Sequence, residues 1–124
     1  MYILDTNVLI RGIAGKQPEA SFLEKTINKK LINISVISIA EFLVKPLDKE
    51  KASFEDLLKI SKISEVDEKV ARQAASYRGQ YIKKSRTKLL DYLIAAQAKV
   101  NNLILVTNNT SDFPMKDIKI MRPK

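Results

Sequence analysis

The sequence predicts an α/β domain with a mostly parallel sheet of four or five strands. Three observations carry that expectation. Short apolar runs that end in turn or capping residues alternate with longer segments of helical period, the pattern of strands joined by crossover helices. The run Leu103-Ile104-Leu105-Val106 is wholly apolar between Asn102 and Thr107, as a strand buried on both faces would be. No internal repeat, low-complexity tract or Pro/Gly/Ser-rich linker interrupts the 124 residues. Residues 1–124 are therefore read as a single domain, long enough to bury a core without staples.

Each element has its own reason. Tyr2-Ile3-Leu4 is the first strand, and Asp5 after it is placed to cap a helix. Residues 19–28 put Phe22, Leu23 and Ile27 on one face of an amphipathic helix. Residues 32–37 form the second strand, and the segment after Asp48 repeats the helical pattern with Phe54, Leu57 and Leu58. Ile63-Ser64-Glu65-Val66 is a weaker third strand. Asp67 then caps a helix whose stripe is Val70, Ala74, Tyr77 and Tyr81, with Gly79 as a weak point or end. A last long helix starts near Thr87, with Leu90, Leu93, Ile94, Gln97 and Val100 inward. The strand at residues 103–106 follows. Finally, Ile118 and Ile120 alternate with Asp117 and Lys119 as a half-exposed edge strand does.

The composition excludes much chemistry. The chain has neither histidine nor cysteine, so a Ser-His-Asp or Cys-His relay, a Cys/His zinc site, a thiol redox motif and a disulfide framework are all impossible. Carboxylates, hydroxyls, amides, lysines and a hard metal ion remain. With 45% hydrophobic and 29% charged residues, the chain has the composition of an ordinary globular protein. Its net charge of +8 favours polyanionic partners, nucleic acid first and an anionic membrane surface second. The longest apolar runs fall far short of the roughly 20 residues of a membrane span. No segment joins a basic face to a Trp- or Phe-rich one. The opening Tyr2-Ile3-Leu4-Asp5 is no signal peptide, so the expected location is the cytoplasm.

Four acids stand out, each with an ordinary structural use. Asp5 suits an N-cap. Glu41 fits a capping box in Ser38-Ile39-Ala40-Glu41. Asp91 lies in the first turns of its helix, where it complements the dipole. Asp112 ends the run of turn formers Thr107-Asn108-Asn109-Thr110-Ser111-Asp112. Three of them, however, lie at or just beyond the C-terminal end of an expected strand, the edge where an open parallel sheet forms its binding crevice. Asp91 reaches the same crevice if its helix starts there, and Ala95 and Ala98 let that helix pack closely. Carboxylates gathered in this way repel one another, and a divalent cation relieves the repulsion. Oxygen-only ligands favour Mg²⁺ or Mn²⁺ over zinc.

These residues resemble the PIN-domain family and, within it, the small single-domain ribonuclease toxins called VapC. The resemblance covers nearly the whole chain and rests on four motifs in order. They are Tyr2-Ile3-Leu4-Asp5-Thr6-Asn7-Val8-Leu9-Ile10, Ser38-Ile39-Ala40-Glu41-Phe42, Leu90-Asp91-Tyr92-Leu93-Ile94-Ala95-Ala96-Gln97-Ala98 and Val106-Thr107-Asn108-Asn109-Thr110-Ser111-Asp112-Phe113. The chain departs from the family pattern at Ser111, where Arg often precedes the acid, and at Tyr92, where a small residue often follows it; the second departure would narrow the site. The resemblance implies a three-layer α/β/α fold and a metal-dependent endoribonuclease. It also implies that Asp5, Glu41, Asp91 and Asp112 hold Mg²⁺ or Mn²⁺, supported by Thr6, Asn7, Thr107 and Asn109. Asp5 and Asp91 are assigned as direct ligands, and Asp112 and Glu41 as further ligands or water-positioning groups. The implied assembly is a homodimer neutralised by a VapB-type antitoxin.

The positive charge also has a location. Residues 69–90 contain Lys69, Arg72, Arg78, Lys83, Lys84, Arg86 and Lys88 and no acid. This reads as a rail for an RNA backbone leading to Asp91, with Tyr77, Tyr81 or Tyr92 as stacking platforms. Arg11 and Lys16 are further candidates for phosphate contacts or for acids of an antitoxin. Two other readings compete. A catalytically silent module that binds RNA or an antitoxin draws on Ser111 and Tyr92. A phosphatase with Asp5 as nucleophile is disfavoured, because a second Asp is usual two residues on and this chain has Asn7.

Overall fold

Ile3, Leu4, Ile34, Leu105 and Val106 are completely buried, and they form the centre of a five-stranded sheet in which every pairing is parallel. The computed structural model describes residues 1–83 and 86–124. Its strands are β1 (Tyr2–Leu4), β2 (Ile32–Ser35), β3 (Lys62–Ser64), β4 (Ile104–Val106) and β5 (Ile120–Met121), in the spatial order β3-β2-β1-β4-β5. The helices are α1 (Thr6–Ile13), α2 (Glu19–Asn28), α3 (Val36–Phe42), α4 (Asp48–Lys59), α5 (Glu68–Tyr81) and α6 (Leu89–Val100). From β1 the chain builds outward to β2 and β3, then returns to add β4 and β5 on the other side of β1. The direction therefore reverses between β1 and β4, the switch point where an open parallel sheet leaves a crevice.

Two apolar cores lie on the two faces of the sheet, making three layers. On one face Ile3 and Leu105 meet Val70, Ala74 and Tyr77 of α5 and Tyr92, Ile94 and Ala95 of α6. On the other, Leu4, Ile34 and Val106 meet Val8 and Leu9 of α1, Phe22 and Leu23 of α2, Phe42 of α3 and Phe54 and Leu57 of α4. Consecutive strand residues serve opposite cores because successive side chains alternate across the sheet. Phe42 and Phe54 stack with ring centroids 4.0 Å apart, joining α3 to α4. Gln97 is completely buried, and its Nε2 donates to the carbonyls of Ser64 at 2.9 Å and Glu65 at 3.1 Å. That contact fastens α6 to the end of β3 and fixes the helix that carries Asp91.

Several boundaries differ from expectation. The second strand stops at Ser35, because the Ser35 hydroxyl accepts from the Ile37 amide at 3.0 Å and caps α3. The capping box at Ser38 and Glu41 is therefore absent; both residues lie inside α3. The last long helix begins at Leu89, with Lys88 at its N-cap. Thr87 stays outside it and donates to the Asp112 carbonyl at 2.6 Å. Leu90 is exposed, and the inward surface is made by Tyr92 and by residues 94–98. Gly79 lies within α5 and does not end it. Asp67 caps α5 as expected, accepting from Val70 N at 2.9 Å.

Gly12 is where α1 and α2 come closest. A Cβ there would lie 2.3 Å from Leu23 Cδ1 and 3.3 Å from the Glu19 carbonyl oxygen. Gly12→Val is expected to lower unfolding stability by about 1–3 kcal/mol through overpacking, read as a lower urea midpoint at unchanged m-value. An unchanged midpoint would mean that α2 can move away freely.

Candidate active site

Asp5 is the last residue before α1, and it is committed by three bonds. Its amide donates to the Val106 carbonyl at 2.9 Å, tying β1 to β4 at the switch point. Its Oδ1 accepts from the Thr6 amide at 2.9 Å, and its Oδ2 accepts from the Thr107 hydroxyl at 2.8 Å. Asp5 therefore caps α1 as the sequence predicts, and the same carboxylate also lines the cleft. Thr107 is fully buried, and its Oγ1 accepts from the Asn109 amide at 3.0 Å. One hydroxyl thus connects Asp5 to the loop that carries Asn109 and Asp112.

Glu41 reaches the same place from α3. The Thr6 hydroxyl donates to Glu41 Oε1 at 2.6 Å and lies 3.0 Å from the buried Ser38 Oγ. Asp91 enters from the first turn of α6, and Asp112 from a short 3₁₀ turn at Thr110–Asp112 after β4. Together they line a cleft of about 390 Å³ whose walls are Asp5, Thr6, Asn7, Ile10, Glu41, Arg86, Lys88, Asp91, Asn109 and Asp112.

The cleft strains its acids electrostatically. Asp91 is pushed up to about 6, first by burial and then by the charge of Asp5, with smaller contributions from Asp112 and Glu41. Burial also raises Asp5; the charges of Glu41 and Asp112 add to this, while the hydrogen bonds from Thr107 and Thr6 act against it. Like charges held together in a partly desolvated site favour either protonation or a bound cation. Among the described residues, no group of three or more acids converges closely enough to hold one ion as the side chains stand. The donors themselves, carboxylate oxygens with the amide oxygens of Asn7 and Asn109 beside them, fit a hard cation.

The structure gathers the four acids and their supporting residues but only some of the basic ones. Asp5, Glu41, Asp91, Asp112, Thr6, Asn7 and Asn109 line the cleft, and Thr107 supports it from beneath. Of the basic residues, Arg86 and Lys88 line it. Arg78 and Lys83 are exposed but do not line it, and Lys84 lies outside the described residues. Arg72 pairs with Glu68 one turn away at 2.7 Å. Arg11 is turned to Glu19, Nε to Oε2 at 2.6 Å, keeps a half-exposed side chain and does not line the cleft. The stacking assignment needs correction. Tyr92 and Tyr77 are 1% and 2% exposed and belong to the core, and only Tyr81 keeps partial exposure. Tyr92 therefore does not narrow the cleft.

Sequence reasoning missed Ile10, which supplies an apolar wall, and Thr87, which anchors the basic loop to the Asp112 carbonyl. It also missed the buried Glu19. Asn108 Nδ2 donates to Glu19 Oε2 at 2.8 Å, the same oxygen that receives Arg11. Burial pushes the Glu19 carboxyl up, but the Arg11 hydrogen bond and charge, with help from Asn108 and its own backbone, outweigh that and hold it below its usual range. An acid eight residues after an arginine carries no such signal in the sequence.

The PIN domain family model matches residues 2–119. Ribonuclease VapC10 of Mycobacterium tuberculosis is 33% identical over 116 residues, covering 93% of this chain and 87% of its own. A chain of a toxin-antitoxin complex from Klebsiella pneumoniae superposes with a TM-score of 0.82 at 27% identity, covering 100% of this chain and 98% of that one. VapBC2 from Rickettsia felis, bound to a DNA fragment from its promoter, gives a TM-score of 0.84 at 24% identity, covering 99% and 98%. Among the described residues, no helix is long and apolar enough to cross a membrane.

The raised Asp91 has a consequence for stability. Between its ordinary value of 3.8 and about 6, the folded chain keeps a proton that the unfolded chain has released, so stability falls as pH rises through that window. In EDTA, Asp91→Asn is expected to melt at a higher temperature than the wild type at pH 8, and the two curves should converge towards pH 4. A lower Tm for the variant at pH 8 would show that Asp91 is not under repulsive strain.

Proposed function

The chain belongs to the PIN-domain family, and from that premise we propose that it is a metal-dependent endoribonuclease of the VapC toxin type. The observation that carries the reading is the convergence of Asp5, Glu41, Asp91 and Asp112 on one cleft rimmed by Arg86 and Lys88. Asp5 and Asp91 would hold Mg²⁺ or Mn²⁺, with Glu41 and Asp112 as further ligands or as groups that orient water. When bound, such an ion lowers the pKa of a water and offsets charge on the phosphoryl oxygens.

The remaining work falls to the chain itself. Arg86 and Lys88 attract the RNA backbone and set a phosphodiester against the cleft. A carboxylate that is not a direct ligand, Asp112 or Glu41, orients the attacking water and takes its proton. The Thr6 and Thr107 hydroxyls hold Glu41 and Asp5 in fixed rotamers, so these groups need no reorientation as charge develops. In the cell, this reading gives a cytoplasmic homodimer neutralised by a VapB-type antitoxin. The toxin-antitoxin complex from Klebsiella pneumoniae supports the antitoxin partner, and the identity to Ribonuclease VapC10 supports the nuclease activity.

Purified protein is expected to cut RNA with Mg²⁺ or Mn²⁺ and to stop in EDTA. Asp5→Asn combined with Asp91→Asn removes both assigned direct ligands and should slow cleavage by more than about 10²-fold, since loss of the outer support of a metal site alone costs roughly 10–100-fold. Wild-type cleavage by that double variant would refute the assignment, and absence of any metal-dependent cleavage by the wild type would favour a silent binding module. Arg86→Ala and Lys88→Ala test the rail separately. Each should weaken single-stranded RNA binding and reduce the slope of log K against log salt by about 0.7. An unchanged slope would remove that residue from the phosphate path.

A further inference from the structure

Glu19 is the first residue of α2, yet it is only 2% exposed. Its Oε2 collects two donors, Arg11 Nε at 2.6 Å and Asn108 Nδ2 at 2.8 Å, while its Oε1 has no hydrogen-bond partner among the described residues. A buried carboxylate with one unsatisfied oxygen, paired to a half-exposed arginine, is a poor device for stability, since desolvating the charge offsets much of what the pair contributes. What the arrangement does accomplish is placement. It ties Asn108, in the loop after β4, to the α1–α2 corner. From the opposite side, Arg122 Nη1 donates to the Asn108 carbonyl at 2.5 Å. Asn108 is thereby gripped by side chain and by backbone, and it sits between the two groups the cleft requires. Thr107, before it, donates to Asp5, and Asn109, after it, lines the cleft and accepts from the Asp112 amide through its carbonyl at 3.0 Å.

We propose that Glu19 is a positioning residue of the active site, acting through Asn108 to fix the loop that presents Asn109 and Asp112. The consequence for cleavage rests on the nuclease reading; the positioning of the loop does not. Glu19 touches neither the cleft nor any reacting group, and Arg11 serves to hold the Glu19 carboxylate in place. Loss of the clamp leaves all four carboxylates present but lets the loop open, so kcat should suffer and KM for RNA should not.

The test compares Glu19→Ala, Asn108→Ala and Glu19→Gln with the wild type. Glu19→Gln keeps an oxygen able to accept from both donors and should behave like the wild type. Asn108→Ala leaves the buried Arg11–Glu19 pair intact, which guards against a simple folding defect. Amide hydrogen exchange at Asn109 and Asp112 is expected to quicken about tenfold in both alanine variants and not in Glu19→Gln, with kcat for RNA falling about tenfold at constant KM, the scale seen when the outer support of a site is removed. If the wild type cuts no RNA but exchange quickens, the nuclease reading fails and the positioning role stands. Unchanged exchange in Asn108→Ala, or unchanged kcat in an active enzyme, overturns the proposal.

Discussion

Four carboxylates share one cleft at the C-terminal edge of a parallel sheet, and the fold must hold them there against their mutual repulsion. Burial and the charge of neighbouring acids push Asp91 up to about 6 and raise Asp5 as well. Nothing intrinsic to the four residues would keep them together. Hydrogen bonds of high sequence separation do so: Thr107 to Asp5, Thr6 to Glu41, and Gln97 to the end of β3. The two apolar cores supply the rigidity that lets these bonds act. A helix packed on each side of the switch point cannot retreat without exposing Leu4, Val106 or Leu105, so the electrostatic strain is confined to the cleft.

The same arrangement explains how a chain without histidine can be equipped for hydrolysis. With imidazole excluded, the proton-accepting groups have to be carboxylates, whose ordinary values lie well below neutrality. Crowding raises Asp5 and Asp91 and at the same time creates the site a hard cation would neutralise. The positive charge is divided accordingly. Arg86 and Lys88 stand at the rim of the cleft. Arg11 instead points to Glu19, where it serves the architecture.

Much of this was legible from residue pattern. The strand cores at Tyr2–Leu4 and Ile104–Val106, the cap at Asp67 and the convergence of the four acids follow from periodicity, turn chemistry and the rule that parallel sheets bind at their C-terminal edge. What escaped depends on contacts distant in sequence. Val36 and Ile37 look like strand, yet Ser35 caps a helix at that point, because Ser38, Glu41 and Phe42 are needed on one helical element between cleft and core. Thr87 looks like a helix cap, but its hydroxyl goes to the Asp112 carbonyl. Tyr77 and Tyr92 look like possible platforms, and both are committed to the core. Glu19 only marks the start of a helix in the sequence, and Asn108, 89 residues away, shows what its carboxylate holds.

An ion bound in the four-carboxylate cleft, as proposed, would leave its mark on the cleft residues rather than on the acids scattered over the rest of the chain. Paramagnetic broadening by Mn²⁺ tests it without depending on any choice of RNA. Substoichiometric Mn²⁺ should broaden the amide signals of Asp5, Thr6, Asp91 and Asp112 first and leave those of Lys116 and Lys119, beyond the opposite edge of the sheet, sharp. Uniform broadening, or broadening centred away from those four residues, would contradict the account.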